Sequence, residues 1–330
     1  MKHVLITGGA GFIGSHLCEA MLARDCRVTA IDDESTGTFE NLATIKDHFN
    51  FNYIQDTVAN KNLMRQVLTD VDEVYHLAAA VGVQLISAAP IHTIETNIYP
   101  TELLLSELLR RKKLGHSVKL FLASSSEVYG KNPKPRWSEE DDVVYGPTTR
   151  MRWSYGVSKA IDEFLALAYW REHQLPVVIG RFFNVVGPRQ TGRYGMVLPR
   201  FVESAIQNRP LVVHDDGQQV RCFAHVSDVL SAVIELMQTP KAVAQVFNIG
   251  SDEQVTIRDL AERVIAATSK STATIEYQAY ADAYDEDFED VRSRVPDLRR
   301  LEATIESRPT YDLTTIIREV VEHARAKARW

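Results

Sequence analysis

Thr7-Gly8-Gly9-Ala10-Gly11-Phe12-Ile13-Gly14 stands directly after the apolar run Val4–Thr7 and opens a helical pattern. Its glycines fall at Gly8-x-x-Gly11-x-x-Gly14. Gly8 permits a tight turn that a Cβ would oppose. Gly11 lets backbone N–H groups come close to a pyrophosphate, and Gly14 lets the helix pack closely on the sheet. The helix N-terminus then offers unpaired donors and partial positive charge to an anion. A glycine triplet alone says little; one set between a strand and a helix signals a dinucleotide site. The next strand ends in Ile31-Asp32-Asp33. Asp32 lies where a carboxylate meets the adenosine ribose hydroxyls, and it would repel a 2′-phosphate, so NAD is expected rather than NADP.

Outward from this loop the chain alternates short apolar runs with longer helical patterns. Strands are expected at Val4–Thr7, Arg27–Ile31, Phe51–Gln55, Glu73–Leu77, Lys119–Ala123 and Val177–Arg181. Helices are expected at Gly14–Ala23, Lys61–Leu68, Thr101–Leu114 and Tyr155–Glu172. Such alternation predicts an α/β fold, a Rossmann-like doubly wound parallel sheet. After about Gly187 the rhythm loosens, with further strands at Val246–Ile249 and Ile275–Tyr277 and helices at Ile257–Ala267 and Leu313–Ala324. The reading is an NAD-binding domain over 1–187, with interleaved later segments at about 220–250. A smaller C-terminal α/β substrate-binding region spans 188–330. The acidic run Asp282, Asp285, Glu286, Asp287, Glu289, Asp290 reads as a solvated loop.

Composition narrows the function. The chain has 330 residues, 45% hydrophobic and 25% charged, with 37 Lys+Arg against 44 Asp+Glu for a formal charge of −7. A mildly acidic chain argues against nucleic-acid binding, which needs a basic surface. Cys18, Cys26 and Cys222 form no C-x-x-C pair, which excludes a disulfide framework and a cysteine zinc site; the histidines contain no H-E-x-x-H, so no metal is expected. No apolar run approaches the ~18 residues of a membrane span. The N-terminus runs straight into strand one without a signal peptide, so the cytoplasm is expected.

Two clusters carry chemistry. Tyr155-Gly156-Val157-Ser158-Lys159 places a phenol and an ammonium at i and i+4, on one helix face. A free phenol, with a pKa near ~10, is a poor base at neutral pH. A nearby ammonium and an oxidised nicotinamide would lower that value, and the phenolate could then take a proton from a sugar hydroxyl as hydride leaves its carbon. The run Phe121–Gly130 ends strand five in Ser124-Ser125-Ser126-Glu127, where ligands of open α/β sheets sit. Its hydroxyls suit a substrate and its carboxylate suits acid/base work. Cys222 is expected to be a buried thiol, His76 a hydrogen-bonded structural histidine, and Trp153 either a pocket wall or core.

These segments, with His76-Leu77-Ala78-Ala79 and Arg181-Phe182-Phe183-Asn184-Val185-Val186-Gly187-Pro188-Arg189, resemble the extended short-chain dehydrogenase/reductase family of nucleotide-sugar epimerases, dehydratases and decarboxylases. The resemblance covers essentially the whole chain. It implies Ser125, Tyr155 and Lys159 as the catalytic triad, with Glu127 beside them. It implies NAD contacts from Gly8, Gly11, Phe12, Ile13, Gly14, Asp32, Asp56, Leu77, Ala78, Ala79, Asn97, Tyr155 and Lys159. It implies substrate contacts from Ser126, Asn184, Arg193, Arg221 and Arg294, since guanidinium groups pair bidentately with phosphate. The shared first step is oxidation of the sugar at C4. Dehydratases usually carry Asp-Glu where this chain has Ser126-Glu127, and simple epimerases usually lack that carboxylate. Ser126-Glu127, Pro147, Arg152-Trp153-x-Tyr155, Arg221-Cys222-Phe223 and Asp290-Val291-x-x-Arg294-x-Pro296 resemble UDP-glucuronate decarboxylases. The loop Gln190–Gly195 is shared with C4 epimerases, which are the alternative. A 4,6-dehydratase and a non-catalytic NAD-binding protein rank lower. The substrate expected is a UDP-linked sugar. Apolar faces at Leu103–Leu109 and on the Tyr155 helix point, by the same resemblance, to a homodimer.

Overall fold

Strand β1 (His3–Thr7) is buried throughout, and it lies third from one edge of a seven-stranded sheet. The computed structural model describes residues 1–81, 89–193, 195–283 and 289–327. On one side of β1 lie β2 (Arg27–Asp32) and β3 (Phe51–Gln55). On the other lie β4 (Glu73–His76), β5 (Lys119–Ser125), β6 (Val177–Phe182) and a late strand, Val246–Ile249. Every pairing is parallel. Strand order reverses beside β1, which opens a crevice at the carboxyl ends of the strands.

Helix α1 (Phe12–Leu22) packs Leu17, Cys18 and Met21 on one sheet face, in a core continued by Val226, Val229 and Val233 of a later helix. The other face is covered by α2 (Lys61–Val67), α3 (Pro90–Lys113) and α4 (Ser154–His173) over Leu5, Val74, Leu120 and Ile179. The expected start of α3 at Thr101 is corrected to Pro90, with Pro100 inside the helix. Proline usually stops a helix because it removes a donor and crowds the preceding turn. Here Pro100 is buried at the edge of the cavity. Leu103, Leu104, Leu105 and Leu108 are buried within the chain, so they form no outward face. The exposed large apolar residues of α3 and α4 are instead Ile91, Ile94, Tyr99, Val157, Ile161 and Phe164.

Beyond β7 (Val185–Val186) a third core forms under α5 (Val197–Ile206), around Phe201, Leu211, Leu260 and Ile317. It carries two small sheets. β8 (Leu211–His214) pairs with Ile275–Gln278, and β9 (Val220–Cys222) lies between Gln254–Thr256 and Ser293–Arg294. The acidic run is not wholly solvated. Asp285, Glu286 and Asp287 lie outside the described residues, but Asp290 turns inward onto Arg221. No described helix is long and apolar enough to cross a membrane.

Candidate active site

One cavity of about 500 Å³ spans the carboxyl ends of β1, β2, β4 and β5 and reaches the C-terminal region. At its first end lie Gly8, Gly11, Phe12, Ile13 and Gly14, then Asp32, Asp56, Leu77, Ala78 and Ala79. Gly8 has φ +70°, and a Cβ there would sit 2.8 Å from the Ala78 nitrogen. A Cβ on Gly14 would lie 2.0 Å from the Gly8 carbonyl oxygen. Only hydrogen fits at either place, so the loop lies flat against the first turn of α1, whose N–H groups have no intrahelical acceptor. Asp32 is held at the end of β2 by the N–H groups of Ala10 (2.9 Å) and Glu34 (2.8 Å), and burial raises its carboxyl. A glycine cradle, a helix N-terminus and a fixed carboxylate fit the pyrophosphate and ribose of a dinucleotide.

His76 behaves as expected of a structural residue. Its ring nitrogens lie 2.7 Å from the Thr7 hydroxyl and 3.2 Å from that of Thr101. Burial, with the nearby Lys159 charge, pushes it down to about 3, so the ring is neutral. Asn97 does not line the cavity. Its side chain accepts from Ala80 N–H at 2.8 Å and donates to the Ser158 hydroxyl at 3.2 Å, which ties the segment after β4 to α4. Cys222 is buried, and Trp153 packs in a small core with Tyr129, Trp137 and Phe183.

At the middle of the cavity are Ser125, Ser126, Glu127, Tyr155 and Lys159. Gly156 brings them together: a Cβ there would lie 2.4 Å from the Glu127 carbonyl oxygen, so α4 can settle directly on the turn after β5. Behind Ser125, Ser124 donates to Glu163, which also receives Arg181 at 2.7 Å. The Tyr155 phenol is held above its ordinary value, first by burial. A hydrogen bond with Ser125 and the charge of Arg294 lower it, while Glu127 and Asp162 raise it further. The expected lowering of the phenol by Lys159 together with an oxidised nicotinamide concerns the NAD-bound site. Lys159 donates to Asp162 at 2.9 Å, and that carboxylate offsets its charge.

Glu127 sits between two arginines. Arg152 holds it through two bonds of 2.7 and 3.1 Å, and Arg294 pairs with it at 2.7 Å. Its carboxyl is kept well below the usual range: the two guanidinium groups outweigh a large opposing effect of burial. It is a fixed anion at neutral pH rather than an acid. Arg152 was noticed in the sequence only as part of a resemblance, and its role depends on a fold contact that spacing does not reveal.

The far end of the cavity holds Asn184, Arg221 and Arg294, together with Arg200, Gln219 and Tyr280, which motif reading missed. Asn184, at φ +35°, donates to the Cys222 carbonyl at 2.8 Å. Arg221 is paired with Asp290 at 2.9 and 3.0 Å, and Tyr280 donates to the same carboxylate. Arg193 is exposed and does not line the cavity; its neighbour Tyr194 lies outside the described residues.

Comparison with known proteins adds four findings. The family model described as GDP-mannose 4,6 dehydratase matches residues 5–320. The chain is 37% identical over 325 residues to UDP-N-acetyl-alpha-D-glucosaminuronate decarboxylase of Bacillus cytotoxicus, covering 98% of each. It is 32% identical over 312 residues to UDP-glucuronic acid decarboxylase 1 of Arabidopsis thaliana, covering 94% of this chain and 67% of that protein. Among solved structures, UDP-glucuronic acid 4-epimerase from Bacillus cereus, in complex with UDP-glucuronic acid and NAD, matches with a TM-score of 0.85. The two are 27% identical, with 98% of this chain and 99% of the other covered.

Proposed function

Because the chain belongs to the GDP-mannose 4,6-dehydratase family of extended short-chain dehydrogenases/reductases, we propose that it decarboxylates a UDP-linked hexuronate of the glucuronate type. It is an NAD-dependent nucleotide-sugar enzyme. The observation that carries the reading is the Arg152–Glu127–Arg294 cluster on the wall that also holds Ser125 and Tyr155. Two buried guanidinium groups beside the reacting carbon suit a substrate whose C6 is a carboxylate.

Bound NAD supplies the hydride acceptor, and later the donor, at sugar C4. Tyr155 takes the C4 hydroxyl proton, and the Ser125 hydroxyl orders that oxygen. A ketone at C4 makes C6 a β-keto acid. The C5–C6 bond then breaks, CO₂ leaves, and the electron pair moves into the C4 carbonyl as an enolate, whose negative charge the arginines stabilise; a proton from solvent added at C5 gives the 4-keto pentose. Asn184, Arg221 and Arg200, which line the far end of the cavity, would hold the nucleotide diphosphate. Cytoplasmic location and a homodimer belong to the same reading. Three buried free thiols support the first. Phe164 and Ile91, 70% and 73% exposed on adjacent helices, support the second.

The test is product analysis without added reductant, using UDP-glucuronate and UDP-N-acetylglucosaminuronate separately. Decarboxylation releases CO₂ and leaves a UDP-pentose or its 4-keto form. A UDP-galacturonate product would establish the C4 epimerase instead, and steady NADH accumulation would mark a net dehydrogenase.

A further inference from the structure

Helix α4 carries a buried charge for which the chemistry above has no use. Asp162 is fully buried, one helical turn beyond Lys159. Its Oδ2 accepts from the Lys159 ammonium at 2.9 Å, and burial raises its carboxyl. A carboxylate in such surroundings is costly unless it serves a counter-charge. Adjacent Glu163 does not share this duty, because Arg181 and Ser124 occupy it. From α3, Thr101 lies beside Asp162. Behind Thr101 is the neutral ring of His76 on β4. The groups acting on Asp162 are thus Lys159 and Glu163 from its own helix, with Thr101 and uncharged His76 opposite.

Lys159 lines the cavity from the other side. An ammonium has three protons. With one on Asp162, the other two are free to face the cofactor ribose and the phenol. We propose that Asp162 is a positioning residue, which anchors Lys159 from behind and offsets part of its charge at Tyr155. The phenol therefore keeps its proton until the site is filled. This rests on the reading of Tyr155 and Lys159 as catalytic. The electrostatics agree: Glu127 and Asp162 hold the phenol up, while Arg294 and the Ser125 bond pull it down.

Asp162→Asn keeps the volume and the acceptor but removes the charge. The experiment titrates the NAD-loaded enzyme in two ways. One is phenolate ultraviolet absorbance, taken as the difference from the same variant carrying Tyr155→Phe. The other is the acid limb of kcat/KM. Removing a nearby anion favours the phenolate, so both titrations should move to lower pH by at least about 0.5 unit, with KM for the nucleotide sugar changed by less than roughly twofold. Asp162→Glu keeps the charge and should restore the wild-type limb. If Asp162→Asn folds poorly, Asp162→Ser removes the same charge and should shift the limb in the same direction. An unmoved limb, or one that moves upward, overturns the proposal while leaving Tyr155 as the base. Normal turnover by Tyr155→Phe would instead overturn the catalytic reading, and this proposal with it.

Discussion

Glu127→Gln removes the anion between Arg152 and Arg294 at nearly constant volume. The glutamate, Arg152 and Arg294 side chains are 14%, 4% and 11% exposed, close to full burial. At an effective dielectric constant near 20, unit charges about 4 Å apart attract by ~4 kcal/mol per pair. Desolvation returns much of that. Removing one partner of a buried pair nevertheless costs about 3–5 kcal/mol, because the remaining charge is stranded. We take about 3 kcal/mol, since the site borders an open cavity. Unfolding entropy of about 2.1 cal/mol/K per residue, over a chain of this length, is roughly 0.7 kcal/mol/K, so the midpoint should fall by ~4 °C. The pH dependence has a definite sign. The folded carboxyl is held below its unfolded value. Its stabilisation is therefore fully present above the unfolded range, near ~4.3, and is lost as pH falls toward the folded value. Calorimetric scans of wild type and variant should show a constant gap from about pH 8 to 6 that narrows only below ~4. UDP-glucuronate should stabilise the variant more than the wild type, because its carboxylate can replace the missing anion. A midpoint change under about 1 °C, or a gap that widens on acidification, would refute the reasoning.

Tyr155→Phe should reduce turnover by about 10²–10⁴-fold, the usual worth of a general base, while calorimetric NAD affinity stays within roughly threefold. Phe164→Asp places a charge on the exposed α3–α4 face. Light scattering should then report a monomer where wild type is a dimer, and an unchanged mass would remove that face as the contact.

The central sheet was legible because its inner strands are buried on both faces and read as continuous apolar runs, and its edge strands are short runs rich in aromatic and β-branched residues. Val4–Thr7, Phe51–Gln55 and Val246–Ile249 fall on the observed strands with at most one residue of difference. The glycine loop was legible because only hydrogen fits at Gly8 and Gly14, and spacing records that constraint directly. Pro100 hid the first ten residues of α3, since nothing local shows that tertiary packing will accommodate it. Helix α5 was missed for a similar reason: Pro199 sits in its first turn, where a missing N–H costs little. At the site, Tyr155 and Lys159 were visible as a helical pair. The contact of Glu127 with Arg152 and Arg294 joins three elements remote in sequence. Asp162, by contrast, stands three residues beyond Lys159, and helical geometry alone could have marked it.

The fixed charge state of Glu127 also separates the reactions open to a C4 ketone. Loss of a hydroxyl from C6 needs an acid to protonate the departing oxygen. Ser126 stands where dehydratases usually place an aspartic acid, and Glu127 is an anion pinned by two guanidinium groups, so this wall offers no carboxylic proton. Carbon dioxide leaves without one: the electrons of the C5–C6 bond flow into the ketone, and the departing group is neutral. What that step needs is positive charge preorganised near the forming enolate. Arg152 and Arg294 are already held in place by Glu127 before any substrate binds, and their charge is therefore available at the moment of bond breaking with little reorganisation. The same family scaffold can thus trade dehydration for decarboxylation by exchanging one proton donor for a clamped pair of cations.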